Sequence, residues 1–178
     1  MARVHAALLQ GDAQAIREAL DAQLTPEDLR KNGAAWLRLA AGKGDVDAAV
    51  LLLGRGADVN EPCSLGFSAL HEAAKLSSPA MCLALLTAGA APDAPDANGQ
   101  TPLHKAAMFG KTQCAFALIR AGACVLRQDV NGRTPLECAR MVGSFGRQSA
   151  DEIEAFCNAR QAQQAIDAAM AGRGIPAP

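Results

Sequence analysis

Residues 101–110 read TPLHKAAMFG. Thr before Pro opens a helix: the hydroxyl is placed to accept an orphan backbone N–H, and proline suits the first helical position, where its missing N–H costs nothing. Gly110 then closes the segment as a C-cap glycine does. The helix is therefore short, and Leu103 is the side chain that anchors it to a neighbour. Met108 and Phe109 stand just before the closing glycine, where a solvated helix would carry polar residues.

The neighbours are written in the same chain. Gly33, Gly66, Gly99 and Gly132 recur at intervals of 33 residues, as do Gly56, Gly89 and Gly122. A third series, Gly11, Gly44, Gly110 and Gly143, keeps that step, with Ser77 in the gap. Between the glycines lie short helices, LRLAAGKG (37–44), LHEAAKLS (70–77) and LHKAAMFG (103–110). Each is followed by a second helix whose apolar residues cluster on one face, in VDAAVLLLGRGADVN (46–60), MCLALLTAGAAPD (81–93) and TQCAFALIRAGACV (112–125). A repeat of this length built from two helices and a turn is a solenoid unit, burying its apolar face only against its neighbours.

Composition agrees with an all-helical chain. Half of the 178 residues are hydrophobic, yet only 3% are aromatic and alanine dominates, so the core must come from close helix contacts. Lys and Arg number 17 against 18 Asp and Glu, a formal net charge of −1, which offers no basic footprint for nucleic acid. No run approaches the length of a membrane span, and MARVHAALLQGD has no signal-peptide pattern, so a cytoplasmic protein is expected. The six cysteines are scattered without a C-x-x-C pair, which argues against zinc, iron–sulfur and dithiol chemistry and for reduced thiols.

The period, the segment Thr101-Pro102-Leu103-His104-Lys105-Ala106, the near match Ser68-Ala69-Leu70-His71-Glu72-Ala73 and the GADVN of 56–60 together resemble the ankyrin repeat family. The resemblance implies one all-α ankyrin-repeat solenoid over 1–178, with helix-turn-helix units joined by short β-hairpin or turn fingers. About five repeats are expected: a degenerate N-terminal cap (1–32, with Val4-His5-Ala6-Ala7 in register), repeats at 33–65, 66–98 and 99–131, a C-terminal cap with a long final helix (132–172), and a tail (173–178). The cap and His are lost at Ala35-Trp36-Leu37-Arg38, and Glu137 and Arg140 break the pattern in the last repeat, as terminal units with a polar outer face would. Thr25-Pro26-Glu27-Asp28 reads as a short turn in place of the first finger. Ser149-Ala150-Asp151-Glu152 reads as a capping box opening the last helix, with Ile153, Phe156, Cys157, Ile166 and Met170 facing inward.

The resemblance further implies that His71 and His104 hydrogen-bond between adjacent units, and that a partner protein docks on the concave face of fingers and first helices. Carried over by register, the contact positions are Leu65, Phe67, Lys75 and Leu76; Asn98, Gln100, Met108 and Phe109; and Val130, Arg133, Met141 and Val142. Leu76, Met108-Phe109 and Met141-Val142 would align as one apolar stripe, of the kind that marks a protein-binding site. Arg30, Lys31 and Lys43 form a basic corner that reads as a solvated face.

The expected function is a non-catalytic, monomeric protein-binding module. A regulatory inhibitor, immunity protein or bacterial effector that occludes an enzyme partner is the alternative. An enzyme using Cys138, Glu137 or Cys157 with His5, His71 or His104 is the remote one, since no phosphate loop, carboxylate pair or metal spacing accompanies them. No catalytic residue, metal or cofactor is expected.

Overall fold

The computed structural model describes residues 6, 18, 26–76 and 78–171. Among them run eight helices: α1 (Pro26–Lys43), α2 (Val46–Gly54), α3 (Ala69–Leu76), α4 (Pro79–Thr87), α5 (Pro102–Met108), α6 (Thr112–Arg120), α7 (Pro135–Met141) and α8 (Gly143–Ala171). The first helices of each pair, α1, α3, α5 and α7, pack side by side in chain order, and α2, α4, α6 and α8 pack behind them.

The stack is tight because its contact positions are small. Ala40, Ala73, Ala106 and Ala139 form one column at the 33-residue step and are all but fully buried, as are the columns Leu37–Leu70–Leu103 and Leu52–Leu85–Leu118. Alanine lets helix axes approach closely, and the leucines fill the remaining space between units at interior density. Side chains cap two of the second helices: Asp45 Oδ1 accepts from Ala48 N at 3.0 Å and Ser78 Oγ from Met81 N at 3.2 Å.

The fingers are tight turns, with no strand assigned among the described residues. Each is closed on itself, Cys63 N to Phe67 O at 2.9 Å, Asp96 N to Gln100 O at 2.8 Å and Asp129 N to Arg133 O at 2.9 Å. Each is also tied to the next, Ala97 N to Leu65 O and Val130 N to Asn98 O, both at 3.0 Å. Gly66 makes this approach feasible: its φ is +78°, and a Cβ there would lie 2.7 Å from Ala97 N. Behind the fingers, Asn60 Oδ1 accepts from Ala91 N at 2.8 Å and Asp93 Oδ1 from Cys124 N at 2.9 Å, a second set of ties at the same step.

Three local expectations are corrected. Pro26 begins a continuous helix of 18 residues, so no short turn stands in for a first finger. Gly33 lies inside that helix, and its place in the glycine series reflects packing: a Cβ would meet Ala57 Cβ at 3.1 Å. The last helix begins at Gly143, not at Ser149, whose hydroxyl is buried without a hydrogen-bond partner instead of capping.

The long α8 runs alongside α6 in the same direction. Ile153 is buried, Phe156 stacks on Phe116 with ring centroids 4.3 Å apart, and Arg160 Nη1 donates to the Ile119 carbonyl at 2.7 Å. The Ile119 carbonyl, which already accepts from Gly122 N at 3.1 Å, thereby gains a second donor from the next unit. The side chains of Ile166 and Met170, expected to face inward, lie outside the described residues, as does the 173–178 tail.

Candidate functional site

His71 and His104 set the geometry between neighbouring units. His71 Nδ1 accepts from Ser68 N at 3.1 Å, and its Nε2 lies 3.0 Å from the Gln100 carbonyl in the next finger. His104 repeats the arrangement with Thr101 N and the Arg133 carbonyl, both at 3.1 Å. An Nδ1 that accepts from a backbone N–H carries no proton, so Nε2 bears the hydrogen and donates it forward; both rings are neutral in this arrangement. Burial pushes both imidazoles below their ordinary 6.5, against the raising effect of the carbonyls they bond. Neither ring has a nitrogen open to a substrate.

The terminal units use other residues at this place. Arg38, at the histidine position of the first described unit, sends Nη1 to the Glu61 carbonyl at 2.9 Å. Glu137, at that position in α7, accepts from Thr134 N at 2.8 Å and so makes the capping half of the interaction alone. Imidazole is used where both a cap and a following finger must be served.

Between the first and second of these fingers lies a group that pattern reading missed. Lys105 is buried, with Nζ 2.8 Å from Asp96 Oδ2, 2.6 Å from Gln100 Oε1 and 4.7 Å from the centre of the Phe67 ring. Asp96 Oδ1 accepts from Asn98 N and Gln100 N at 2.8 and 2.9 Å. Burial raises the Asp96 carboxyl, and the ammonium together with these N–H donors overcomes that and holds it below the usual carboxylate range. The one sequence cue was a lysine where the flanking Leu103, Ala106 and Ala107 are all fully buried.

This cluster sorts the predicted contact residues. Phe67 and Gln100 are half-buried and occupied within the fold, Phe67 as the lid of the ion pair and, at 5.6 Å, a neighbour of the His71 ring. Met108 is half-buried, whereas its neighbour Phe109 is exposed. Lys75 is half-buried with its ammonium 5.8 Å from the centre of the Phe109 ring. Leu65, Leu76, Phe109, Val130, Met141 and Val142 are between 42% and 69% exposed, a large fraction for side chains of this type, and Asn98 and Arg133 are exposed beside them. Leu76, Phe109 and Val142 share one register on adjacent first helices. Leu76 Cδ1 also reaches back towards the preceding helix, 4.0 Å from where a Cβ on Gly42 would stand.

Cys138 and Cys157 are not activated by their surroundings. Cys138 lies 3.7 Å from Asp129 Oδ2, and burial followed by that carboxylate pushes its thiol up to about 11. Burial also raises Cys157. All six cysteines are unbridged, and among the described residues no three His, Cys, Asp or Glu side chains are placed to hold a metal. No helix of the described residues is long and apolar enough to cross a membrane.

A family model described as ankyrin repeats in three copies matches residues 4–96 and 70–146, together most of the chain. No curated protein sequence matches it. Repeats of this family serve in general as protein–protein interaction modules. The matched span, the forward-bonding histidines and the stacked helix pairs give one conclusion: the chain belongs to the ankyrin repeat family.

Proposed function

We propose that this array is a non-catalytic module that holds one partner protein against the concave wall made by its fingers and first helices. The observation that carries the reading is the column Leu76–Phe109–Val142, widened by Met141 and by Leu65 and Val130 on the finger tips, all substantially exposed. Contiguous apolar groups of this kind, rimmed by Asn98 and Arg133, are what a desolvated interface centre needs. The absence of a basic surplus favours a protein over nucleic acid as the partner, and the unbridged thiols suit a reducing compartment such as the cytoplasm. The isolated chain is read as a monomer.

His71, His104 and Cys138 are each bonded inside the fold, which weighs against an enzyme reading built on them. The test is Phe109→Lys with Val142→Lys, two exposed positions. Far-UV circular dichroism and melting temperature stay as in the parent, while partner capture from a lysate, read by mass spectrometry, is lost. A double variant that unfolds, or that captures the same partner undiminished, overturns the proposal.

A further inference from the structure

The second helices differ at their N-termini. Asp45, Ser78 and Lys111 occupy the same place at the 33-residue step, each just before its helix. Asp45 and Ser78 accept from the N–H three residues on, that of Ala48 and that of Met81. At α6 the corresponding N–H is that of Cys114. Lys111 brings a cation and no acceptor to this place, and no side chain caps the helix. The first turn of α6 therefore keeps open N–H groups, to which the helix dipole adds a partial positive charge.

An independent observation stands beside it. An open cleft of about 190 Å³ is lined by Gly110 and Thr112 on either side of Lys111 and by Gln148, Ser149 and Glu152 of α8. Ser149 is only 3% exposed, and its hydroxyl has no hydrogen-bond partner. A buried hydroxyl left in that state is costly, and a ligand atom that accepts from it removes the cost. Glu152 is the one acid of the lining; it is exposed, and its Oε1 accepts from Gln148 Nε2 at 3.1 Å. The volume is small beside the roughly 300–1,000 Å³ of a pocket that encloses a whole organic ligand, so it seats a head group.

We propose that this cleft binds a phosphate-type oxyanion, either free or as the head group of a small phosphate monoester. One oxygen takes the place at α6 that the Asp45 carboxylate holds at α2 and accepts from the Cys114 N–H, and another accepts from the Ser149 hydroxyl. Asp45 supplies the precedent within the same chain, an anionic oxygen 3.0 Å from the equivalent N–H. Lys111 and the positive end of α6 balance the charge. The Glu152 carboxylate opposes an anion and holds the affinity down, which makes it a handle for the test. The site is independent of the exposed column on the first helices, and neither reading depends on the other.

The test follows the amide resonances of the full chain, labelled with nitrogen-15, as sodium phosphate is added, against sodium chloride at matched ionic strength. The Gln113 and Cys114 amides are expected to shift and saturate with phosphate alone. Lys111→Asp restores the kind of cap that α2 carries, so it keeps or raises the melting temperature while weakening phosphate about tenfold or more. Ser149→Ala removes a hydroxyl that has no partner within the protein, so it folds as the parent does and weakens phosphate by about tenfold. Glu152→Gln strengthens it. Glycerol phosphate, titrated in the same way, separates the two sources: tighter binding than inorganic phosphate assigns the monoester, and equal or weaker binding assigns the free anion. Shifts that follow ionic strength alone, that fail to saturate, or that persist undiminished in either Lys111→Asp or Ser149→Ala overturn the proposal.

Discussion

His104 holds two units together through opposite edges of one ring: Nδ1 accepts from Thr101 N and Nε2 donates to the Arg133 carbonyl, each at 3.1 Å. His71 does the same one unit earlier, with Ser68 N and the Gln100 carbonyl. Both bonds of each ring require the neutral imidazole, and the consequences are measurable.

The first concerns pH. Burial depresses the folded-state values of His71 and His104 below 6.5, so as pH falls through about 6.5 the unfolded chain takes up protons that the folded chain refuses. Stability is complete above that pH and declines below it, with a limiting slope of about 1.4 kcal/mol per pH unit for each histidine. Urea midpoints measured between pH 7.5 and 5 should fall accordingly, and a His71→Gln variant should show about half the slope. A further loss follows at lower pH, where Asp129, held down at about 2, leaves its ordinary 3.8 behind in the unfolded chain. Burial raises that carboxyl, and N–H donors from Arg133 and Asn131 more than reverse it.

A second prediction contrasts two substitutions that exchange the same pair of residues. His104→Glu keeps an acceptor for Thr101 N but buries a carboxylate facing the Arg133 carbonyl, and should cost about 3–5 kcal/mol in a chemical melt. Glu137→His stands exposed, with its backbone partner within its own unit, and should change stability by less than about 1 kcal/mol. Equal effects would show that the forward bond contributes little.

Backbone geometry gives a third. Gly66 and Gly89 both hold positive φ, +78° and +89°, but a Cβ on Gly66 meets the backbone of Ala97 and Asp96 while one on Gly89 meets nothing. Gly89→Ala should cost about 1–2 kcal/mol, the left-handed penalty alone. Gly66→Ala should cost clearly more, since the finger-to-finger bond from Ala97 N to Leu65 O must also give way. Thermal melts of the two variants side by side decide the matter.

The buried ion pair supplies a fourth. Asp96→Ala leaves the Lys105 ammonium buried without its carboxylate and removes the acceptor for Asn98 N and Gln100 N, so a loss of about 3–5 kcal/mol is expected. The double variant Asp96→Asn with Lys105→Met keeps an acceptor and removes both charges, and should recover most of that stability. A double variant as unstable as the single would mean that the pair itself, and not the stranded charge, governs.

The helix-pair architecture was legible because it rests on period: Thr101-Pro102, Leu103 and Gly110 each state a local requirement that recurs 33 residues away. The identity of the exposed rungs was legible too, apart from Met108, which tucks in while Phe109 stays out. The ties of His71 and His104 to the next unit came with the family resemblance, but where single side chains and helix ends settle on packing could not be read. Gly33 matched the step of the finger glycines but serves a close approach to Ala57. Ser149 matched a capping box, yet the helix had already begun at Gly143. Phe67 looked like an interface aromatic until the buried Lys105 beneath it was placed, and no spacing rule predicts that a lysine will turn inward.

Arg160 marks a joint between units at which the bonding differs from the histidine ties before it. From α8 it donates to the Ile119 carbonyl of α6, bonding the second helix of one unit to that of the unit before, while Glu137 accepts from the backbone of its own unit. Growth by duplication therefore has a permitted place. A second copy of 99–131 inserted after residue 131 inherits a histidine behind it and a receiving carbonyl ahead, whereas a copy appended after α8 finds neither.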